Sequence, residues 1–282
     1  VALLKYEEGK YNMKFSLLLG TYGSRLKELD VLFDSLDRQT YKNFEVIVGS
    51  QTNFEEIDEI LKKHSFEYKH IDAGGVGCSV SRNATMDYCT GDVYTFTDDD
   101  CWYADNTLEI VKEHFEKYDP DIAIFQHFDP IVKKSTADYP KEPIMGISRR
   151  QTLKQLTLDM WFNAHQLDPM THRFDERFGI GKKYNSGEEN IFIMDAYNEG
   201  KRKMYYFPVI VAYHPYKRVN YTDPTSIIGK GPLFKRLFGG FTGFVLFIAF
   251  GLKKRKLIKD SNDGKFWGLF MSAIKEQLKF KV

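Results

Sequence analysis

Paired cysteines, long apolar runs and net charge are all scarce in this chain of 282 residues. Its three cysteines, Cys78, Cys89 and Cys101, are odd in number and lack both C-x-x-C spacing and a histidine at zinc-like spacing. That excludes a disulfide framework and a zinc finger, and fits a reducing cytosol. The N-terminus has no apolar core and cleavage site of a signal peptide, so secretion is not expected. No internal repeat or low-complexity tract is present. Net charge is only +1, but residues 230–282 hold twelve Lys/Arg against three Asp/Glu, which puts +9 on the tail and −8 on the rest. Such a split points to an anionic surface meeting the tail; nucleic acid is not among the expected partners.

What is present suits one large α/β domain with an appendage: 43% hydrophobic and 15% aromatic residues can build a substantial core. Residues 1–12 read as an extension without function, 13–229 as the main α/β domain and 230–282 as a basic, apolar helical tail. The short apolar run at 14–20 and the stretches 44–50, 66–72 and 92–98 predict strands. Amphipathic stretches after Gly23, at 54–64 and at 79–89 predict the intervening helices. Alternation of this kind implies right-handed crossovers and a mostly parallel sheet. A helix over 105–117 and a strand over 122–128 follow, then an irregular excursion at 129–145 with three prolines. A helix-like stretch spans 149–165, a helix runs through Ile191–Gly200 and a strand covers 204–214.

In open parallel sheets ligands sit beyond the carboxyl ends of the strands. Three such ends are Gly20-Thr21-Tyr22, Gly49-Ser50-Gln51 and Asp98-Asp99-Asp100. Three like charges at one strand end raise one another's pKa unless a cation intervenes. A divalent ion with a substrate diphosphate resolves the conflict; an Asp-rich turn capping the next helix is the structural alternative.

The stretch "GGVGCSVSRNATMDYCTGDVYTFTDDDCWY" (74–103) resembles the donor-binding region of family 2 glycosyltransferases with the GT-A fold. Its elements are the small-residue loop Gly74–Gly77, Ser81-Arg82-Asn83, Gly91-Asp92 and a D-x-D motif at Asp98-Asp99-Asp100. The resemblance continues in "FDERFGIG" (174–181) and "SGEENIF" (186–192), similar to that family's acceptor-side motifs, and ends at "AYHP" (212–215). It implies a Rossmann-like GT-A domain and a metal-dependent, inverting transfer of sugar from a nucleotide-sugar. Asp98 would face the ribose and share with Asp100 a divalent cation, Mg²⁺ or Mn²⁺, with Asp99 beside them; His214 matches an occasional further ligand. Arg82 would support the nucleotide, and Thr21, Tyr22 and Arg25 would flank it. The family's second strand usually ends in an Asp that reads the base, where this chain has Ser50 and Gln51. A UDP-sugar is favoured over a thymidine or guanosine donor.

Glu189 stands at the Asp position of the family's G-E-D motif and is the expected general base, with Glu188 in reserve. A structural reading of the same pair is acidic charge at a helix N-terminus. Asp175 and Glu176 are expected to shape the acceptor side, with Gly179 and Gly181 bending the loop. Trp161, Phe162 and His165 could form an aromatic platform or simply pack in the core. The tail's uncharged run at 237–252 is shorter than the ~20 residues of a spanning helix. Downstream, Phe266, Phe270, Ile274 and Leu278 recur four apart among lysines, an interface-seeking pattern. Peripheral or monotopic attachment to the inner face of the cell membrane would suit a saccharide or lipid-linked acceptor in surface polysaccharide assembly. Docking of these helices on the protein is the rival. An idle nucleotide-binding partner and an Asp-dependent phosphohydrolase are the alternative functions; Trp102 and the late position of the triplet argue against the second.

Overall fold

The computed structural model describes residues 12–216 and 223–282; the extension at 1–12 lies outside it except for Asn12. The elements are β1 (Phe15–Thr21), α1 (Leu26–Asp37), β2 (Phe44–Ser50), α2 (Phe54–Leu61), β3 (Glu67–Asp72), α3 (Cys78–Met86), β4 (Val93–Thr97), β5 (Trp102–Tyr103), α4 (Thr107–Tyr118) and β6 (Ile122–Phe128). There follow β7 (Ile144–Met145), α5 (Arg149–Thr152), a 3₁₀ turn (Thr157–Asp159), β8 (Met160–Asn163), α6 (Glu188–Asn198) and β9 (Met204–Tyr213). The chain closes with α7 (Pro224–Ile228), α8 (Lys230–Phe238), α9 (Gly240–Ser261) and α10 (Phe266–Lys279).

One sheet runs β3-β2-β1-β4-β8-β6-β9-β5, with β7 also on β9. β1, β2, β3 and β4 are mutually parallel, which β-α-β crossovers through α1, α2 and α3 permit. β1, β2 and β4 are buried at almost every position because both sheet faces are covered, whereas the edge strand β3 stays partly exposed. In β1, Phe15, Leu17 and Leu19 enter one core layer and Leu18 the other; in β2, Val46 and Val48 oppose Ile47 in the same way. α1 lays Leu29, Leu32, Phe33 and Leu36 on the first layer, three and four residues apart as one helix face requires.

The stretch 149–165 is helical only in the single turn of α5 and the 3₁₀ turn at Thr157–Asp159. Its end forms β8, antiparallel to both β4 and β6. Trp161 enters one core layer while Met160 and Phe162 enter the other, all fully buried. These aromatics therefore form no platform, and exposed His165 meets Asp92 instead (Nε2 to Oδ1, 3.1 Å).

The C-terminal helices pack on the sheet domain. Leu233 and Leu237 of α8, with Phe280, join Phe178, Tyr184, Ile191 and Met194 in one cluster. Arg236 bridges Asp195 and Asp175. Phe266 and Phe270 of α10 are buried against Phe247 of α9 and Ile274 packs on the same cluster, so of the expected interface-seeking face only Leu278 is left exposed. Gly231 and Gly251 allow this approach: a Cβ at Gly231 would lie 2.2 Å from the Ala273 carbonyl oxygen, and one at Gly251 would lie 2.1 Å from the Phe270 ring. The apolar surface left exposed is Phe241, Val245 and Leu252 on α9 with Trp267, Met271 and Leu278 on α10. Among the described residues no helix is long and apolar enough to cross a membrane.

Candidate active site

A cleft of about 670 Å³ opens beyond the carboxyl ends of β1, β2 and β4. Tyr22, Arg25, Gln51, Arg82, Asp98, Asp99, Asp100, Glu188, Glu189 and His214 all line it. The residues come from six separated stretches, and the fold brings them together. Thr21 and Ser50 are not on the wall. Thr21 is buried and donates through Oγ1 to Asp99 Oδ2 (2.7 Å), acting behind the acidic triplet. The Ser50 hydroxyl pairs with His70 Nε2 (2.9 Å) and does not face the cleft. Gln51 does, with its Oε1 accepting the Gly77 N–H (2.8 Å).

At one end stand the aspartates. Asp98, Asp100 and His214 place ligand atoms within 4.8 Å of one another. His214 Nε2 is 3.1 Å from Asp100 Oδ1, while Arg25 Nη1 donates to Asp100 Oδ2 (2.6 Å) and Asp99 Oδ1 (2.9 Å). Burial raises the Asp99 pKa against the opposing pull of Thr21 and Arg25. Two carboxylates and an imidazole are a donor set that fits Mg²⁺ or Mn²⁺ while leaving room for phosphate oxygens. The triplet is thus held by side chains from β1's loop and β9's end, more than a turn cap requires.

The other end holds the two glutamates at the start of α6, directly after Gly187 with its positive φ of 97°. Arg82 ties the ends together: Nη2 reaches Asp98 Oδ1 (3.1 Å) and Nη1 reaches Glu188 Oε1 (3.4 Å). Burial opposes the Arg82 charge, and the surrounding carboxylates, Asp98 foremost, outweigh it and raise its pKa. Glu188 is buried and also accepts from the Cys78 thiol (3.4 Å). Burial, then the Glu188 charge, pushes that thiol up to about 12, so it is not a nucleophile. Glu189 keeps a face on the cleft but is packed closely enough that burial, then the charge of Glu188, pushes its carboxyl up to about 8. The nearby Thr157 backbone N–H partly offsets this rise.

Asp175 and Glu176 are not in this cleft. Asp175 pairs with Arg177 and Arg236, and Glu176 accepts from Asn83 (3.0 Å). Gly179 and Gly181 do bend the loop, with φ of 105° and 84°. Sequence reasoning missed Cys78, His127 and the 157–158 turn as wall residues. Only spatial proximity marks them, and no local motif could have.

The comparisons agree with this architecture. Residues 16–180 match the family model described as "Glycosyl transferase family 2". A 99-residue stretch is 31% identical to glycosyltransferase GlyA of Streptococcus pneumoniae, covering 34% of this chain and only 14% of that protein. The S. aureus TarS structure (residues 1–349) in complex with UDP-GlcNAc superposes with a TM-score of 0.64 at 18% identity, covering 94% of this chain and 83% of that one. The mannosyltransferase PcManGT from Pyrobaculum calidifontis, in complex with GDP-Man and Mn²⁺, gives 0.55 at 14% identity over 96% and 74%. The matched model spans more than half of the sequence, and the solved neighbours share the overall fold: the chain belongs to glycosyltransferase family 2 and has the GT-A fold.

Proposed function

We propose that the protein transfers a sugar from a nucleoside diphosphate to a saccharide acceptor with inversion at the anomeric carbon. The observation that carries this reading is Arg82, which joins the aspartate cluster to the glutamate pair across one cleft. Asp98, Asp100 and His214 would hold Mg²⁺ or Mn²⁺. Such a cation, when bound, stabilises negative charge on the departing phosphate oxygens. Arg25 and Arg82 keep the aspartates oriented, and Tyr22 at the rim is placed to stack on the base. Glu189 accepts the proton of the attacking hydroxyl as the new C–O bond forms on the face opposite the leaving phosphate. The old C–O bond breaks with its electrons on the nucleoside diphosphate. A single displacement inverts the centre.

A uridine donor is the first choice, with TarS crystallised with UDP-GlcNAc and PcManGT with GDP-Man. The test is calorimetric titration with UDP, GDP, dTDP and the matching nucleotide sugars, with Mn²⁺ or with chelator. Tight binding of UDP only with Mn²⁺ is expected; equal affinity in chelator would remove the cation from the reading.

The exposed apolar faces of α9 and α10 lie beside Lys253, Lys254, Arg255 and Lys256. This combination supports peripheral attachment to the inner face of an anionic membrane and a lipid-linked acceptor in surface polysaccharide assembly. Sedimentation with phosphatidylglycerol vesicles should capture the protein and phosphatidylcholine vesicles should not; equal capture by both, or by neither, would overturn it.

A further inference from the structure

Between the aspartates and Glu189 the cleft wall carries a histidine that no motif announces. His127 stands near the end of β6 and is almost fully buried, yet it borders the cleft. Its ring is fixed from behind. Nδ1 is 2.8 Å from Asp159 Oδ1 and 2.8 Å from Tyr139 Oη, while Tyr139 donates to Asp159 Oδ2 (2.6 Å). Asp159 is itself buried. A buried carboxylate and a buried phenol spent on one imidazole are a costly arrangement unless the ring's orientation matters.

With Nδ1 engaged, the remaining ring nitrogen is Nε2, which has no hydrogen-bond partner among the described residues. It is also not sealed among the buried unsatisfied atoms. Two neighbours on the same wall complete the picture. The Thr136 side chain lines the cleft, and its hydroxyl, sealed behind that wall, has no hydrogen-bond partner among the described residues. Leu156 and Leu158 supply apolar surface beside it. An imidazole nitrogen and two aliphatic side chains suit a sugar ring, which presents hydroxyls at its rim and C–H groups on its faces. Phosphate would instead seek the arginines and the aspartate-bound cation at the other end.

Position agrees with chemistry. The His127 ring lies 5.7 Å, centroid to centroid, from that of His214 in the aspartate cluster. On its other side the Thr157–Asp159 turn holds His127 through Asp159 and brings the Thr157 N–H near Glu189. The transferred sugar must occupy this interval, between the leaving phosphate and the base.

We infer that His127 Nε2, oriented by Asp159 and Tyr139, hydrogen-bonds the sugar moiety of the nucleotide-sugar and helps select it. This rests on the donor-site reading above.

The experiment separates the two. Affinities of UDP and GDP, and of UDP-GlcNAc and GDP-mannose, are measured with Mn²⁺ for the parent, His127→Asn and His127→Gln. Asn retains a polar atom near the Nδ1 position and loses the one at Nε2; Gln does the reverse. His127→Asn should bind the bare nucleotide as the parent does but lose about tenfold in affinity for the preferred nucleotide-sugar, the worth of one hydrogen bond to a desolvated group. His127→Gln should recover most of that. Tyr139→Phe, which leaves Nε2 in place but loosens the ring, should show a smaller loss of the same kind. If both His127 variants keep the parent's ratio of nucleotide-sugar to nucleotide affinity, the inference fails while the donor site stands. Equal weakening of nucleotide and nucleotide-sugar would also overturn it, since that marks a phosphate or purely structural role. A parent that binds no nucleotide removes the donor site, and this inference with it.

Discussion

The two carboxylate groups of the cleft are built alike in sequence and treated oppositely by the fold. Asp98, Asp99 and Asp100 are three consecutive acids, each given a basic side chain: Arg82 for Asp98, and Arg25 for Asp99 and Asp100 with His214 also at Asp100. Glu188 and Glu189 are two consecutive acids that share one arginine, and the arginine contacts only the first. Compensated carboxylates remain ready to hold a cation; the uncompensated one takes up a proton near neutrality, which is what a base working at that pH requires. The contrast teaches that net acidity alone says little about role. The placing of Arg25, Arg82 and His214 decides it.

Three changes would break or sharpen that contrast. Glu189→Gln removes the proton acceptor but keeps the shape, and should lower turnover by ~10²–10⁴-fold with nucleotide affinity unchanged; unaltered turnover would leave only an idle binding partner or another base. Asp100→Ala should cost ~10²–10³-fold in transfer, corresponding to several kcal/mol of lost charge stabilisation. The residual rate should no longer respond to chelator, and a preserved response would move the cation elsewhere. The smallest effect is on pH. With its carboxyl held near 8, Glu189 is protonated in the folded protein at neutral pH. kcat/KM should therefore rise about tenfold per pH unit up to that point and then level, a limb that Glu189→Gln should lack. Stability moves the other way. A carboxyl whose folded pKa lies above its unfolded value favours the fold fully at low pH and loses that contribution as pH climbs through about 8. The melting temperature of the parent should accordingly fall relative to Glu189→Gln across that range, and parallel curves would contradict the placement of Glu189.

Much of the fold was legible because β1, β2 and β4 each carry a short run of apolar or β-branched residues and α1 repeats its leucines at helical spacing. β8 was not, since a strand buried on both faces has no period to distinguish "MWF" from a helix core. At the site, the acids and Arg82 stand in recognisable strings, so the sequence could group them before any coordinates existed. Ser50 shows the limit: its place in the sequence assigns it to the base, while the fold pairs it with His70 from the neighbouring strand. His127 shows the same limit from the other side. "IAIFQHF" is an ordinary strand, and the acid that aims its histidine lies 32 residues away.

The basic helices also have a bearing on the glutamates. Lys230, the first residue of α8, donates to the Ser186 hydroxyl (3.1 Å), two positions before Glu188. Six residues on, Arg236 clasps Asp195 within α6 and Asp175 in the preceding loop. Both ends of α8 are thus pinned to the segment that carries Glu189, with no slack in between. Anything that tugs on α8 works a lever with a very short arm, and the far end of that lever is Glu189.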